Sequence, residues 1–72
     1  ENDIMLYPNP VNTFLQVKNK NMDSIEIYDI KSVQLYKGNS KSVDMSRFSN
    51  GFYIVKINLK DNTLLIKKII KK

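Results

Sequence analysis

Seven short apolar or alternating segments, separated by turn signals about every ten residues, constrain this chain more than any other feature. Residues 24–29 alternate cleanly and place Ile25 and Ile27 on one face, which predicts a half-buried strand. Residues 52–59 form the longest segment, and one of its faces carries Tyr53, Val55, Ile57 and Leu59. Short strands at this spacing are typical of an antiparallel sandwich or barrel. The sequence therefore predicts a single all-β domain over residues 1–72.

The five other segments are shorter or less regular. They are residues 6–11, 14–17, 33–36, 42–45 and 63–72. In the first of them, Tyr7-Pro8-Asn9-Pro10 predicts a stiff, extended piece at a sheet edge, because proline lacks an N–H donor and restricts the residue before it. Asn50-Gly51 predicts a turn, since both residues tolerate a positive φ.

Residues 65–72 fit two interpretations. On a helical wheel they separate into an apolar half and a lysine half, as in an amphipathic helix at a membrane surface. As a strand they alternate poorly, because each face carries both lysine and Ile or Leu. However, the segment is shorter than the roughly 12 residues at which an isolated helix becomes marginal. It also follows the longest strand after a two-residue turn at Asp61-Asn62, which is hairpin spacing. A strand is therefore favoured.

The composition argues against a catalytic or metal-binding function. The 72 residues include neither cysteine nor histidine, so disulfides, thiolate metal sites and the commonest general base are all missing. The seven carboxylates are scattered, and most fall at predicted turns, where they cap backbone donors. Gly38 and Gly51 are the only glycines, too few for a phosphate-binding loop. We expect no enzymatic activity, no cofactor and no metal.

The formal net charge of +5 indicates anionic partners without choosing among phosphates, acidic glycans and membrane surfaces. Eleven lysines against one arginine argue against nucleic acid, because arginine is the better bidentate ligand for phosphates and bases. No apolar run approaches the roughly 20 residues that span a bilayer, so we expect no transmembrane segment.

Two surface patterns have both a functional and a structural interpretation. Tyr7, Tyr28, Tyr36 and Phe52 could line a sugar-binding surface, as in a carbohydrate-binding or adhesive module. Aromatic residues in strands more often pack across neighbours and cover a thin core. The last lysines could contact nucleic acid or lipid, but an exposed row of charge more often solvates an edge strand and blocks aggregation. The structural interpretation is favoured for both.

Four stretches, in order along nearly the whole chain, resemble one family. They are Leu6-Tyr7-Pro8-Asn9-Pro10-Val11, Ile25-Glu26-Ile27-Tyr28-Asp29, the run from Val43 to Ile57, and Lys67-Lys68-Ile69-Ile70-Lys71-Lys72. They are similar to the Y-P-N-P opening, middle strand, D-x-S-x-L-x-x-G-x-Y-x-V-x-I stretch and closing lysine-rich strand of the C-terminal sorting domains of type IX secretion in Bacteroidota. The third stretch matches its motif at Asp44, Ser46, Gly51, Tyr53, Val55 and Ile57. The chain departs from the family in the turn after the middle strand, where it has Lys31-Ser32 and glycine is usual, and within the motif at Phe48, where leucine is usual.

The resemblance implies a small seven-stranded immunoglobulin-like antiparallel β-sandwich that acts as a secretion signal and not as an enzyme. Its implied partners are an outer-membrane translocon, a shuttle protein and a sortase that usually cuts the domain off and joins the cargo to lipopolysaccharide. The implied route passes through the periplasm to the cell surface or the medium. Because Glu1 is not a methionine, we expect a piece of a longer protein, with residues 1–4 ending a linker from a cargo domain.

Two surfaces are candidates for recognition by that machinery. One is the rigid corner formed by Tyr7, Pro8, Asn9 and Pro10. The other is the last segment, whose lysines and isoleucines we expect to be presented together: Lys67, Lys68, Ile69, Ile70, Lys71 and Lys72. We expect this last strand to dock on the secretion machinery, either through its charges or by adding to a partner sheet.

Overall fold

The computed structural model describes residues 5–72, and all regular structure in that part of the chain is β-strand. The strands are β1 (Met5–Tyr7), β2 (Phe14–Lys18), β3 (Met22–Tyr28), β4 (Gln34–Gly38), β5 (Ser42–Asp44), β6 (Gly51–Leu59) and β7 (Leu64–Lys71). The predicted all-β class is confirmed. The expected linker at residues 1–4 lies outside the described residues.

The seven strands form two antiparallel sheets. One has the order β1-β2-β5 and the other the order β4-β3-β6-β7. Three connections join neighbours within a sheet (β1–β2, β3–β4 and β6–β7), while the other connections cross between the sheets. This arrangement is that of an immunoglobulin-like sandwich, so the predicted architecture is confirmed as well.

The core lies between the sheets and follows the alternation of the sequence. Leu15 of β2, Ile25 and Ile27 of β3, and Val55 and Ile57 of β6 are all completely buried. Each fully buried side chain of this size contributes about 1.5–3 kcal/mol relative to an exposed one. The central strands β3 and β6 therefore hold the four-stranded sheet against its partner.

A tyrosine fixes the corner that leads into β6. The Tyr53 hydroxyl donates a hydrogen bond to the Ser49 carbonyl at 2.6 Å, and its ring centroid lies 5.4 Å from that of Phe48. A tyrosine near the start of this strand that bonds back onto the chain is the tyrosine corner of immunoglobulin-like domains. Gly51 opens β6 with a φ of 146°, and a Cβ there would meet no atom within 4 Å. The backbone conformation, not crowding, is what requires this glycine.

Two hairpin turns carry residues other than glycine in the left-handed region. Ser32, between β3 and β4, and Asn62, between β6 and β7, both have a φ of 69°. The Asp29 carboxylate supports the first turn, because its Oδ1 accepts the N–H groups of Lys31 at 2.8 Å and Val33 at 2.9 Å. Ser32 therefore adopts a glycine-like conformation at the turn where the sequence departs from the family it resembles.

The last segment is a strand, as favoured above, and not a membrane-surface helix. β7 pairs with β6 through eight register pairs, from Asn58↔Leu64 to Gly51↔Lys71. Its alternation is poor because its inward face carries an exposed lysine between Leu65, which packs against the core, and the buried Ile69. Ile69, opposite Tyr53, is buried, whereas Lys67, opposite the buried Val55, lies at the surface.

Candidate functional site

The segment between β1 and β2 reaches the end of β7 in the other sheet before the chain returns to its own sheet. β1 pairs with β2 as far as Tyr7↔Gln16, and the chain then bends through residues 8–10. The extended conformation predicted for Tyr7-Pro8-Asn9-Pro10 is therefore corrected beyond Tyr7, since proline has no N–H with which to continue the ladder. The peptide bonds that precede Pro8 and Pro10 are both cis.

Residues 9–11 bind the end of β7. The Asn9 side-chain Oδ1 accepts the Ile70 N–H at 3.0 Å, and the Val11 N–H donates to the Ile70 carbonyl at 2.7 Å. The Lys72 N–H donates to the Val11 carbonyl at 2.9 Å, and Val11 forms a parallel bridge with Lys71. The Val11 side chain is completely buried. The two candidate surfaces predicted from the sequence thus form one continuous surface, which we call the clamped edge (residues 7–11 and 64–72).

The four corner residues, Tyr7, Pro8, Asn9 and Pro10, are all exposed. On β7 and just beyond it, Lys67, Lys68 and Lys72 are exposed, and Ile70 is half-buried.

Two residues of the last segment differ from the expectation that it is presented as a whole. Ile69 is only 1% exposed and Lys71 only 6% exposed. Both lie on the inward face of β7, where they pair with Tyr53 and Gly51. The Lys71 Nζ donates to the Lys72 carbonyl at 3.2 Å. The positive charge that the clamped edge presents therefore comes from Lys67, Lys68 and Lys72.

An open groove of about 260 Å³ runs between β1 and β7. It is lined by Met5, Leu6, Asn9, Lys67, Lys68 and Ile69. Of the described residues that line it, two carry a positive charge and none carries a carboxylate. The groove therefore favours a partner with acidic groups beside an apolar segment.

A family model described as the secretion system C-terminal sorting domain matches residues 5–72. The chain belongs to this family. A search of curated proteins found no match to the chain. Membership makes the domain a C-terminal sorting signal of type IX secretion, which directs export to the cell surface or the extracellular space. The resemblance noted in the sequence is confirmed over all the described residues.

The residues of the motif in the middle of the sorting domain stabilise a turn, form the tyrosine corner and fill part of the core. The Asp44 Oδ1 accepts the Ser46 N–H at 2.9 Å, and this hydrogen bond is the main cause that lowers the pKa of Asp44 below its ordinary value. Tyr53 makes the corner, while Val55 and Ile57 are completely buried.

The contacts on the outer face of the four-stranded sheet could not be identified from the sequence. The Lys68 Nζ lies 4.5 Å above the centre of the Phe52 ring, and the Lys56 Nζ lies 4.7 Å above that of Tyr28. Beside them, the Ile66 side chain is 57% exposed. Each strand's alternation indicates which residues share its outer face, but finding these contacts also requires the register between β3, β6 and β7. The sorting domain thus presents apolar groups and cations together on this face.

The four aromatic residues considered for glycan binding do not share a face. Tyr28 and Phe52 lie on the outer face of the four-stranded sheet, each with a lysine above its ring. Tyr36 packs against the core, and Tyr7 belongs to the other sheet. A common sugar-stacking platform would need these rings on one surface of the sorting domain.

A second open groove, of about 580 Å³, lies between the corner before β6 and the start of β4. Its apolar lining includes Ile30, Leu35, Phe48 and Phe52. No residue of the clamped edge lines it. Within residues 5–72, no three His, Cys, Asp or Glu side chains are grouped so that they could hold a metal ion. The same residues include no helix that could cross a membrane.

Proposed function

We propose that this sorting domain carries no chemistry of its own and that the secretion machinery reads it at the clamped edge. The observation that carries this proposal is the set of backbone and side-chain hydrogen bonds that join residues 9–11 to Ile70 and Lys72. These bonds hold the exposed corner and the exposed lysines in a fixed relative position. A surface that is ordered before binding loses less conformational entropy when the partner arrives.

The partners in this proposal are a shuttle protein, an outer-membrane translocon and a sortase. The domain passes through the periplasm as a folded module, and its lack of cysteine means that it needs no oxidative step there. At the surface, the sortase removes the domain and joins the cargo to lipopolysaccharide.

The distribution of positive charge supports the proposal that the secretion machinery recognises the clamped edge. Lys67 and Lys68 on β7 and Lys72 just beyond it are exposed, and the chain as a whole has a net charge of +5. A concentration of positive charge accelerates encounter with an acidic partner and fixes the orientation in which it docks. An acidic patch on the shuttle protein or the translocon would complement this edge.

The test is export of a reporter fused to residues 1–72 in a host that has type IX secretion. One variant carries Lys67→Gln, Lys68→Gln and Lys72→Gln. A matched control removes the same charge from exposed lysines elsewhere: Lys20→Gln, Lys41→Gln and Lys60→Gln. We expect the first variant to lose about tenfold or more of the exported reporter and the control to be exported like the unchanged chain. Equal export of the two variants would contradict the proposal.

A further inference from the structure

The outer edge of β7 presents backbone groups that have no partner within residues 5–72. The N–H and carbonyl of Ile70 face away from β6, because they bond to Asn9 and Val11. Successive residues of a strand alternate the direction of their backbone groups. Ile66 and Lys68 therefore also direct their N–H and carbonyl groups away from β6. Neither makes a backbone hydrogen bond to a described residue on that side.

This edge is also regular and partly apolar. The eight pairs between β6 and β7 contain no register shift, so the free edge from Leu64 to Lys68 is an unbroken strand of roughly 17 Å. The side chains of Leu64 and Ile66 are 49% and 57% exposed. A long, regular edge with exposed apolar residues is a template for another strand.

The two lysines of this edge leave its backbone accessible. The alternative interpretation is that Lys67 and Lys68 block pairing, as edge lysines often do. However, the Lys68 ammonium lies over the Phe52 ring on the outer face, and Lys67 lines the groove on the other face. Their charges flank the line of free N–H and carbonyl groups, so an acidic strand would be attracted to the edge.

We propose that a segment of the secretion machinery adds to the free edge of β7 as an extended strand. It bonds to the backbone of Ile66 and Lys68 and continues the line of pairing that residues 9–11 begin. Its acidic side chains lie beside Lys67 and Lys68, and its apolar side chains cover Leu64 and Ile66. This inference rests on the proposed function, because it specifies how the clamped edge is read.

The first test separates the backbone of residue 66 from its side chain. Ile66→Pro removes the outward N–H, and proline is tolerated on an edge strand where the N–H faces solvent. Ile66→Thr is the matched control, because threonine keeps the N–H and the β-branch but removes apolar surface. In the reporter assay we expect Ile66→Pro to lose about tenfold of its export, whereas Ile66→Thr keeps most of it. Thermal unfolding of both variants checks that they are folded.

The second test needs no substitution. Amide hydrogen exchange of the unchanged chain is measured with and without the purified outer-membrane translocation complex. We expect the complex to slow exchange at Ile66 and Lys68, while Leu65 and Lys67, whose N–H groups face β6, serve as internal references. This measurement decides the question even if Ile66→Pro fails to fold.

The outcomes distinguish strand addition from the proposed function. If folded Ile66→Pro is exported normally and the complex gives no protection, strand addition is wrong, while loss of export in the lysine variant still supports the clamped edge. If the lysine variant is exported normally, the proposed function itself fails. Protection that rises with chain concentration and needs no complex would assign the edge to a second copy of the chain and overturn the proposal.

Discussion

The two edge strands of the four-stranded sheet, β4 and β7, differ in length, regularity and cover. β4 has five residues and four register pairs with β3, interrupted by a shift between Ile27 and Tyr28. β7 has eight residues and eight uninterrupted pairs with β6. Residues 9–11 hydrogen-bond to the end of β7, whereas β4 is an edge of the sheet without such a clamp among the described residues.

The two edges of this sheet therefore differ in how readily they can pair with another strand. A short strand with a bulge and a lysine resists pairing with other chains, and β4 has both the register shift and Lys37. β7 lacks the shift, and within residues 5–72 only the end of its outer edge is hydrogen-bonded. We therefore expect substitutions on β7 to affect both stability and export, and substitutions on β4 to affect neither strongly.

The largest expected effect comes from truncating the buried anchor of β7. Ile69→Ala leaves a cavity beneath the clamped edge, and we expect the free energy of unfolding to fall by about 2–5 kcal/mol. Leu35→Ala is the matched change on β4, where the side chain is 43% exposed, and should cost about 1 kcal/mol or less. Urea denaturation measures both. Similar losses at the two edges would contradict the comparison.

The next largest effect is expected from removing one hydrogen bond between residues 9–11 and the end of β7. Asn9→Ala removes the acceptor of the Ile70 N–H, and we expect a loss of about 0.5–1.5 kcal/mol together with faster exchange of the Ile70 amide. Asn9→Asp keeps an oxygen in the same position and should restore slow exchange. The amides of β4 serve as the control, since they lie in the opposite edge strand. Unchanged exchange at Ile70 in Asn9→Ala would show that Val11 and Lys72 hold the edge without Asn9.

The core and strand class could be predicted from the sequence because burial follows a period of two. Ile25 and Ile27, or Val55 and Ile57, are placed on one face by their spacing alone, and each of them is completely buried. Alternation shows which residues of a strand share a face, but it does not show which strand lies beside it. The order in which the strands pair is seen only in the three-dimensional structure. The contact of Lys68 with Phe52 depends on that order, so it could not be predicted either.

The joining of the two candidate surfaces could not be predicted from local signals. Asn9 and Ile70 are 61 residues apart, and nothing near either residue indicates the other. The same reason explains the misplaced expectation for Ile69 and Lys71. Their exposure depends on how much of β7 the opposite sheet covers, which is a property of the assembled sandwich and not of the segment.

A smaller effect on stability is expected at the turns that lead into the two edge strands, β4 and β7. Ser32 and Asn62 have the same left-handed φ, but asparagine tolerates that region better than serine. We expect Ser32→Gly to stabilise the domain by about 0.5–1 kcal/mol, and Asn62→Gly to gain clearly less. For a domain of this size, about 1 kcal/mol corresponds to roughly 4–8 °C in Tm. A larger gain at Asn62 would mean that the turn before β7 is the more strained one.

The smallest effect is the dependence of stability on pH at the turn before β7. Hydrogen bonds from Thr63, one of them from its N–H at 3.0 Å, lower the pKa of the exposed Asp61 carboxyl in the folded chain. An ordinary aspartate in the unfolded chain titrates near a pKa of about 3.9. The unfolded state therefore binds protons first as the pH falls. The stabilisation is complete above that value and is lost as the pH falls through the folded pKa.

Asp61→Asn should therefore flatten the decline of Tm below about pH 4 without abolishing it, because the pKa of Asp44 is lowered in the same direction by Ser46. Thermal unfolding between neutral and strongly acid pH measures both curves, and Asp44→Asn provides the comparison at the end of β5, in the other sheet. If Asp61→Asn and the unchanged chain decline in parallel, the Thr63 hydrogen bonds do not favour the charged carboxylate in the folded state. The turn before β7 would then be held by its backbone hydrogen bonds, from the Asn62 N–H to the Leu59 carbonyl and from the Leu59 N–H to the Thr63 carbonyl, which do not titrate in acid.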